Sequence, residues 1–430
     1  MNIVLIGAGS ASFGPGMVRD IMICPELKGR GVTLWLVDLN QQALDDVMGF
    51  AQELRRRVGA DVELKQTTDR CEALPGADYV IISVARRRME LWEQDFRIPL
   101  AHGFKHCLGE NGGPGAVFHT QRSLHLMMPI CRDIERLAPQ AMVLNFTNPE
   151  MKVLHAILTL TELKAAGLCH GIGGAIDLLG KLLDRPHDSF RVTSAGMNHF
   201  YAVLKVEDLK SGQDLLPEAN AKVLADGDKW GSPLFRKMLE VFDVFTFPSE
   251  DHIGEYLPFG SEFSGVHWHY GMECRKLTLA QSEPGKQWFQ MRTDKGDFLD
   301  WVYRPSGELA VPIICDIALN RNCFREAVNV LNMRPYIDNL PPTTCIEVPA
   351  MVDKAGIHPI AVGPIPEPFA EYVRRQGTIV EILTEAYRTR SKKMLLQALL
   401  LDPSVNSSTA AAKMLDEMLK LQAEYLPEYQ

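Results

Sequence analysis

Cys169 and His199 are the two side chains best suited to hold a soft or borderline metal ion. Each follows a strand-like or apolar run, and a thiolate paired with an imidazole suits a divalent transition metal, with a substrate supplying further ligands. Taken alone, a buried structural cysteine and a capped histidine account for them better. Their weight comes from the start of the chain, where Ile3-Val-Leu-Ile-Gly-Ala-Gly9 reads as a buried strand entering a dinucleotide-binding turn. Gly7 and Gly9 allow a tight turn and a close backbone approach to a pyrophosphate. Ser12 stands where the fingerprint carries its third glycine or alanine. Asp38 ends the second apolar run, where a carboxylate accepts from both ribose hydroxyls and repels a 2'-phosphate, favouring NAD over NADP. Ser83, near the end of the fourth run, is a further cofactor-site candidate.

Other polar groups cluster near these. Gly109-Glu-Asn-Gly-Gly-Pro-Gly115 is too glycine-rich for a core segment and reads as a loop against cofactor and substrate, with Glu110 and Asn111 offering contacts. Arg122 follows at the start of a helix and could reach the same pocket. Asn145 and Asn148 flank a strand end at the carboxyl edge of the sheet, where open α/β sheets bind ligands. An amide both donates and accepts, which suits a sugar. Tyr256 lies in an aromatic-rich stretch with Asp251, His252 and Glu255. Its phenol becomes a candidate base only beside a cation.

The elements that must position these groups alternate. Strands are expected over Met1–Ile6, Val32–Val37, Val62–Lys65, Tyr79–Val84 and Ala141–Asn145. Helices are expected over Met17–Met22, Gln41–Val58 and Gln121–Leu137. The pattern predicts an α/β doubly wound parallel sheet of the Rossmann type over residues 1–168. Residues 169–430 read as a mixed α+β metal- and substrate-binding domain. It has short strands at Phe190–Ala195 and Tyr201–Val206, irregular Pro-, Gly- and aromatic-rich chain from Pro248 to Gly271, and three helices between Pro366 and Leu419. The active site is expected between the two domains.

Composition narrows the class. The 430 residues are 46% hydrophobic and 23% charged, ordinary for a globular protein. A net charge of −9 without a basic block argues against nucleic acid. No apolar run is long enough to cross a bilayer, and no secretory signal is visible. Nine scattered cysteines without a CxxC pair read as reduced thiols of a cytoplasmic protein.

Taken in order along nearly the whole chain, these stretches resemble the family 4 glycoside hydrolases, which use NAD and a divalent metal and depart from two-carboxylate hydrolysis. The resemblance rests on Gly7-Ala-Gly-Ser10, Gly112-Gly-Pro-Gly115 with Arg122, Asn145-Phe-Thr-Asn-Pro149, Cys169-His-Gly171, Asn198-His199 and Glu255-Tyr256. Late in the chain it rests on Asp338-Asn-Leu-Pro341, Ile346-Glu-Val-Pro349 and Gln397–Pro403. It implies a second domain like that of lactate and malate dehydrogenases, and a homodimer or homotetramer. It assigns Cys169 and His199 to the metal, usually manganese, Tyr256 to the base, Asn148 to the substrate, and Gly7, Gly9, Ser10 and Asp38 to NAD. The implied reaction is redox-neutral. NAD takes the hydride from sugar carbon 3, Tyr256 removes the acidified proton on carbon 2, and the glycosidic oxygen leaves with proton help from a group such as His170. Water then adds and the hydride returns. Within the family, Cys-His-Gly resembles the members acting on α-linked uronides. The arginines at 86, 87, 88, 97, 122 and 334 suit an anionic galacturonide, glucuronide or sulfoquinovoside. Glu150 and Arg334 depart from the family's usual residues. A 2-hydroxy acid dehydrogenase shares the fold but has no use for Cys169, and an NAD-sensing scaffold leaves the second domain unexplained.

Overall fold

The computed structural model describes residues 1–10, 13–265 and 304–430. Ser12 and the stretch 266–271 of the expected irregular segment lie outside the described residues.

Six short strands build the first half: β1 (Asn2–Ile6), β2 (Thr33–Val37), β3 (Glu63–Thr67), β4 (Tyr79–Ile82), β5 (Met142–Asn145) and β6 (Lys164–Gly167). They pair in parallel in the order β3-β2-β1-β4-β5-β6, the doubly wound arrangement. β1, β4 and β5 are buried almost throughout, which is why they read as continuous apolar runs. One face is covered by the helices Gly14–Ile23, Gln41–Val58 and Ala310–Leu319, the other by Gly113–Leu137 and Glu150–Leu160. The helix Gln41–Val58 follows directly from its sequence. Leu44, Val47, Ala51 and Leu54 form its buried stripe, the Asn40 side chain accepts from the Ala43 N–H, and Gly59 closes it in the left-handed region.

The sheet does not stop at β6. Gly167 pairs antiparallel with Asn329 of β9 (Cys323–Leu331), and β9 continues into β10 (Cys345–Asp353), β7 (Phe190–Met197) and β8 (Phe200–Asp208). A short β11 (Gly356–Pro359) pairs with β10. One eleven-stranded sheet therefore runs through both halves of the chain, parallel on one side of the Gly167–Asn329 pair and antiparallel on the other.

One reading of the loops is corrected, and one helix was not expected. Only residues 109–112 of the glycine-rich stretch are irregular, because Gly113-Pro-Gly115 forms the first turn of a helix running to Leu137. Proline is tolerated there, where its missing N–H has no partner to lose. The passage after β4 is helical from Arg88 to Ala101.

Inside this frame His155, on the helix Glu150–Leu160, is buried with its Nδ1 2.8 Å from Thr384 Oγ1. Burial pushes it down to about 4, against about 6.5 when unfolded. Between those values the unfolded chain binds the proton and the folded chain does not. The neutral histidine's contribution is thus complete above pH 6.5 and is lost as pH falls toward 4, by up to about 3 kcal/mol. Denaturant titrations of the wild type and His155→Gln should therefore converge as pH falls through that window. A stability difference constant from pH 7 to 4 would contradict this.

Candidate active site

The dinucleotide turn closes at the β1/β4 switch point of the sheet. Gly7 has φ +88°, and a Cβ there would lie 1.9 Å from the Ser83 carbonyl oxygen, so only glycine lets β1 end against β4. The close packing usually given by the fingerprint's third glycine falls to Gly14, whose Cβ position is 1.9 Å from the Ala8 oxygen. Asp38 Oδ2 accepts from the Gly9 N–H at 2.9 Å and Oδ1 from the Asn40 N–H at 2.9 Å, tying the turn to the end of β2. A cleft of about 650 Å³ opens above these groups, within the range of ligand pockets. Gly7, Gly9, Ser10, Asp38, Ser83 and Asn148 all line it, so the candidates expected at the cofactor meet there with one expected at the substrate.

Across the Gly167–Asn329 seam, Cys169 follows β6 and His199 lies in the two-residue link between β7 and β8. Their Sγ and Nε2 are 3.1 Å apart. For ligand bonds of about 2.3 Å to sulfur and 2.1 Å to nitrogen, that separation suits two donors on one ion. His199 is packed between Phe247 (centroids 5.5 Å, stacked) and His252 (4.6 Å, edge-on). Its Nδ1 is buried without a hydrogen-bond partner among the described residues. Burial, reinforced by Glu347, pushes the Cys169 thiol up to about 11, and burial pushes His199 down. The imidazole is thus held neutral, the form that binds a metal, while the thiol would need a nearby cation to ionise. Among the described residues no group of three or more His, Cys, Asp or Glu side chains is arranged around one ion.

Tyr256 is buried, and its hydroxyl donates to the Asn198 carbonyl at 3.4 Å. Burial, with Glu255, Glu110, Cys169 and Glu347 nearby, holds the phenol well above its ordinary value. Its neighbour Glu255 accepts from the N–H groups of Glu110 (2.7 Å) and Asn111 (3.0 Å), clamping the 109–112 bend beside Tyr256. Of these two carboxylates, Glu255 is pushed up to about 8 by burial and by Glu110. Burial opposes the charge on Glu110 as well, but Arg88, His119 and His252 outweigh it and hold it at about 2. Glu110 Oε1 accepts from Arg88 at 2.7 Å and from the Asn148 amide at 3.3 Å, joining the bend to the cleft. Asn111 spends its carbonyl on the buried Lys152 ammonium.

Not every expected residue arrives. Arg334 stands on an exposed bend and lines neither described cavity. Arg122 lines a second cavity of about 250 Å³, but its guanidinium is committed to buried Asp95 in two hydrogen bonds and to Gln422 at 2.6 Å. It shapes the wall rather than offering a free fork. The His170 side chain is 72% exposed, with Nδ1 2.8 Å from Glu308 Oε1, and that hydrogen bond raises it to about 9. Neither described cavity includes it. Lys152, Asp95 and Glu347 were not singled out from sequence. For Lys152 and Glu347 the signal is a charged residue inside an otherwise apolar element, whereas Asp95 sits on a helix with several charged residues and carries no such signal.

With this geometry in view the comparisons are unambiguous about class. Models described as family 4 glycosyl hydrolase and its C-terminal domain match residues 2–185 and 194–405. The chain belongs to the family 4 glycosyl hydrolases. An alpha-glucosidase of Erwinia rhapontici is 30% identical over 99% of this chain and 98% of its own length. An alpha-galacturonidase of Lachnoclostridium phytofermentans is 25% identical over 100% and 97%. In fold, the chain is similar to a 6-phospho-alpha-glucosidase from gut microorganisms, solved in complex with NAD and Mn2+. The TM-score is 0.85 at 21% identity, covering 100% of this chain and 99% of that one.

The Asp95–Arg122 pair yields a direct test. Removing one partner of a buried ion pair leaves an uncompensated charge, so Arg122→Met should cost about 3–5 kcal/mol in a denaturant titration. Asp95→Asn with Arg122→Met together should recover part of that loss. A loss under 1 kcal/mol for Arg122→Met would show that the pair does not carry this wall.

Proposed function

We propose that this family member cleaves α-glycosides of an anionic sugar with NAD and a divalent ion, manganese being the first candidate. A galacturonide or glucuronide is favoured, and a sulfoquinovoside is a further candidate. Two observations carry the reading: a dinucleotide cleft that includes Asn148, and the Cys169–His199 pair 3.1 Å apart, whose imidazole feels the charge of the Glu110 that fixes Asn148. The donor set fits a divalent ion, because one thiol and one imidazole leave positions open for sugar oxygens. When bound, NAD and the ion supply hydride abstraction at carbon 3 and positive charge beside the sugar hydroxyls.

The chain's own residues do the rest. Gly7, Gly9 and Ser10 cradle the pyrophosphate, Asp38 takes the adenosine ribose, and Ser83 backs the turn. Cys169 and His199 hold the cation. Asn148, fixed by Glu110, orients a sugar hydroxyl, and Glu110 keeps the negative charge that a hydroxyl can donate to. Tyr256 takes the proton from carbon 2. Its phenol needs nearby positive charge to ionise, since four anionic or thiol groups oppose it. His170, kept cationic by Glu308, carries a proton for the leaving oxygen at the mouth of the site.

The anionic preference rests on Cys169-His-Gly171 and on basic groups around the smaller cavity. Arg87, Arg88 and Arg97 are paired with Glu90, Glu110 and Glu93. Arg86 lines both cavities and has no ion-pair partner among the described residues. It is the guanidinium best placed to meet a carboxylate or sulfonate. Similarity to an alpha-glucosidase at 30% identity favours a second reading, a neutral α-glucoside cleaved in the same way.

Two experiments decide between them. Cys169→Ser should lower kcat/KM at least a hundredfold, and Tyr256→Phe should slow solvent-deuterium incorporation at carbon 2 while NAD binding is unchanged. Exchange at the wild-type rate would remove Tyr256 from the role of base. On sugar class, α-galacturonides or α-glucuronides should exceed the matching neutral glycosides at least tenfold in kcat/KM, and Arg86→Ala should collapse that ratio. Equal turnover of neutral sugars would favour the glucosidase reading.

A further inference from the structure

His199 occupies an unusual backbone position. β7 and β8 pair up to Met197 and Phe200, so Asn198 and His199 alone make the connection. His199 has φ +63°, the left-handed region where a residue with a bulky side chain is strained. Such a conformation persists only when its surroundings over-determine it. The Asn198 side chain supplies one constraint, donating from Nδ2 to Glu347 Oε2 at 3.3 Å.

The same carboxylate oxygen serves the other ligand segment. Asn329 Nδ2 donates to Glu347 Oε2 at 3.1 Å and also lies 3.3 Å from the carbonyl oxygen of Gly167, two residues before Cys169. The sheet register makes this possible, because Glu347 on β10 lies opposite Asn329 on β9 and Gly196 on β7. Glu347 is 2% exposed between buried Ile346 and Val348 and has no ion-pair partner among the described residues. An apolar side chain would fill this position at lower cost to folding. A buried carboxylate retained there points to a use beyond packing.

We propose that Glu347 is a positioning residue for the Cys169–His199 pair. Its Oε2 gathers Asn198, which carries His199, and Asn329, which holds the strand end leading to Cys169. The two donor atoms are thereby set at the separation one cation requires. This rests on reading the pair as a divalent-cation site. The effect on the phenol follows, since the Asn198 carbonyl that accepts from Tyr256 belongs to the same pinned link.

The test is calorimetric titration of the full chain with Mn2+, with NAD affinity measured alongside. Glu347→Ala and Asn198→Ala should each weaken Mn2+ binding about 10- to 100-fold, the range typical of groups that orient metal ligands. The double variant should be no weaker than the poorer single one, because both changes cut one link. Glu347→Gln, whose amide oxygen still accepts from both asparagines, should stay within threefold of wild type. NAD affinity should stay within twofold throughout. Unchanged Mn2+ affinity in Asn198→Ala would overturn the proposal, a result that does not depend on Glu347→Ala folding. Glu347→Gln as weak as Glu347→Ala would overturn it too, by showing that charge rather than position matters. A wild-type chain that ignores Mn2+ would instead remove the cation reading beneath it.

Discussion

A single backbone pairing, Gly167 with Asn329, brings the chemistry of this protein together. On one side lies a parallel nucleotide-binding sheet, whose strands all present their carboxyl ends to one crevice. On the other lies an antiparallel sheet, whose β7–β8 link carries His199. Because the pairing is made at the last residue of β6, Cys169 emerges just beyond the seam and meets His199 across it. Cys169 follows the last parallel strand and His199 links two antiparallel ones, so neither part of the sheet carries both donors. The cleft is likewise shared, as Asn148 belongs to the β5 end while the bend that fixes it is clamped from Glu255. A site assembled this way depends on the relative placement of two sheet segments, which explains why one continuous sheet, rather than a hinged pair of domains, underlies it.

Charge is the second constraint. Glu110, Glu150, Glu255 and Glu347 are all at most 4% exposed and cluster within the same layer as Cys169. Burial pushes Glu150, Glu255 and Glu347 up, whereas Arg88 and His119 beside Glu110 outweigh its burial and hold it at about 2. Such a layer is costly to bury without positive charge. A divalent ion between Cys169 and His199 would offset that cost and ease ionisation of the thiol and of Tyr256 together. Of the arginines 87, 88 and 97 on the outer wall, only Arg88 pairs with these carboxylates, through Glu110. All three neutralise neighbours, and Arg86 is left facing both cavities.

Much of this was legible in the sequence where the signal is local. β1, β2 and the helix Gln41–Val58 announce themselves by apolar runs, a periodic stripe and a capping asparagine. The glycine turn and Asp38 could be assigned from their positions between those elements. Elsewhere local signals misled. Gly113-Pro-Gly115 looks like a loop because glycine and proline break helices, yet at a helix start neither is penalised as it would be in the interior. β9 and β10 escaped because Arg325, Glu326, Asn329 and Glu347 interrupt what is otherwise strand-like. These interruptions were themselves the clue to buried polar work. What sequence could not provide is distance across the fold. Glu255 clamping a bend 145 residues earlier, or Arg122 being spent on Asp95, appears only once the helices are packed.

The central claim is that NAD and a divalent ion act together in a reaction with no net oxidation. It is tested most directly by following sugar release and NADH absorbance on the same α-uronide, with NAD and Mn2+ each present or withheld. The account predicts release only when both are present, over many turnovers, with no accumulation of NADH. NADH rising in step with substrate consumed would contradict it and make the protein a dehydrogenase. Release without either addition, from chain stripped of both, would show that the cleft and the Cys169–His199 pair do something else.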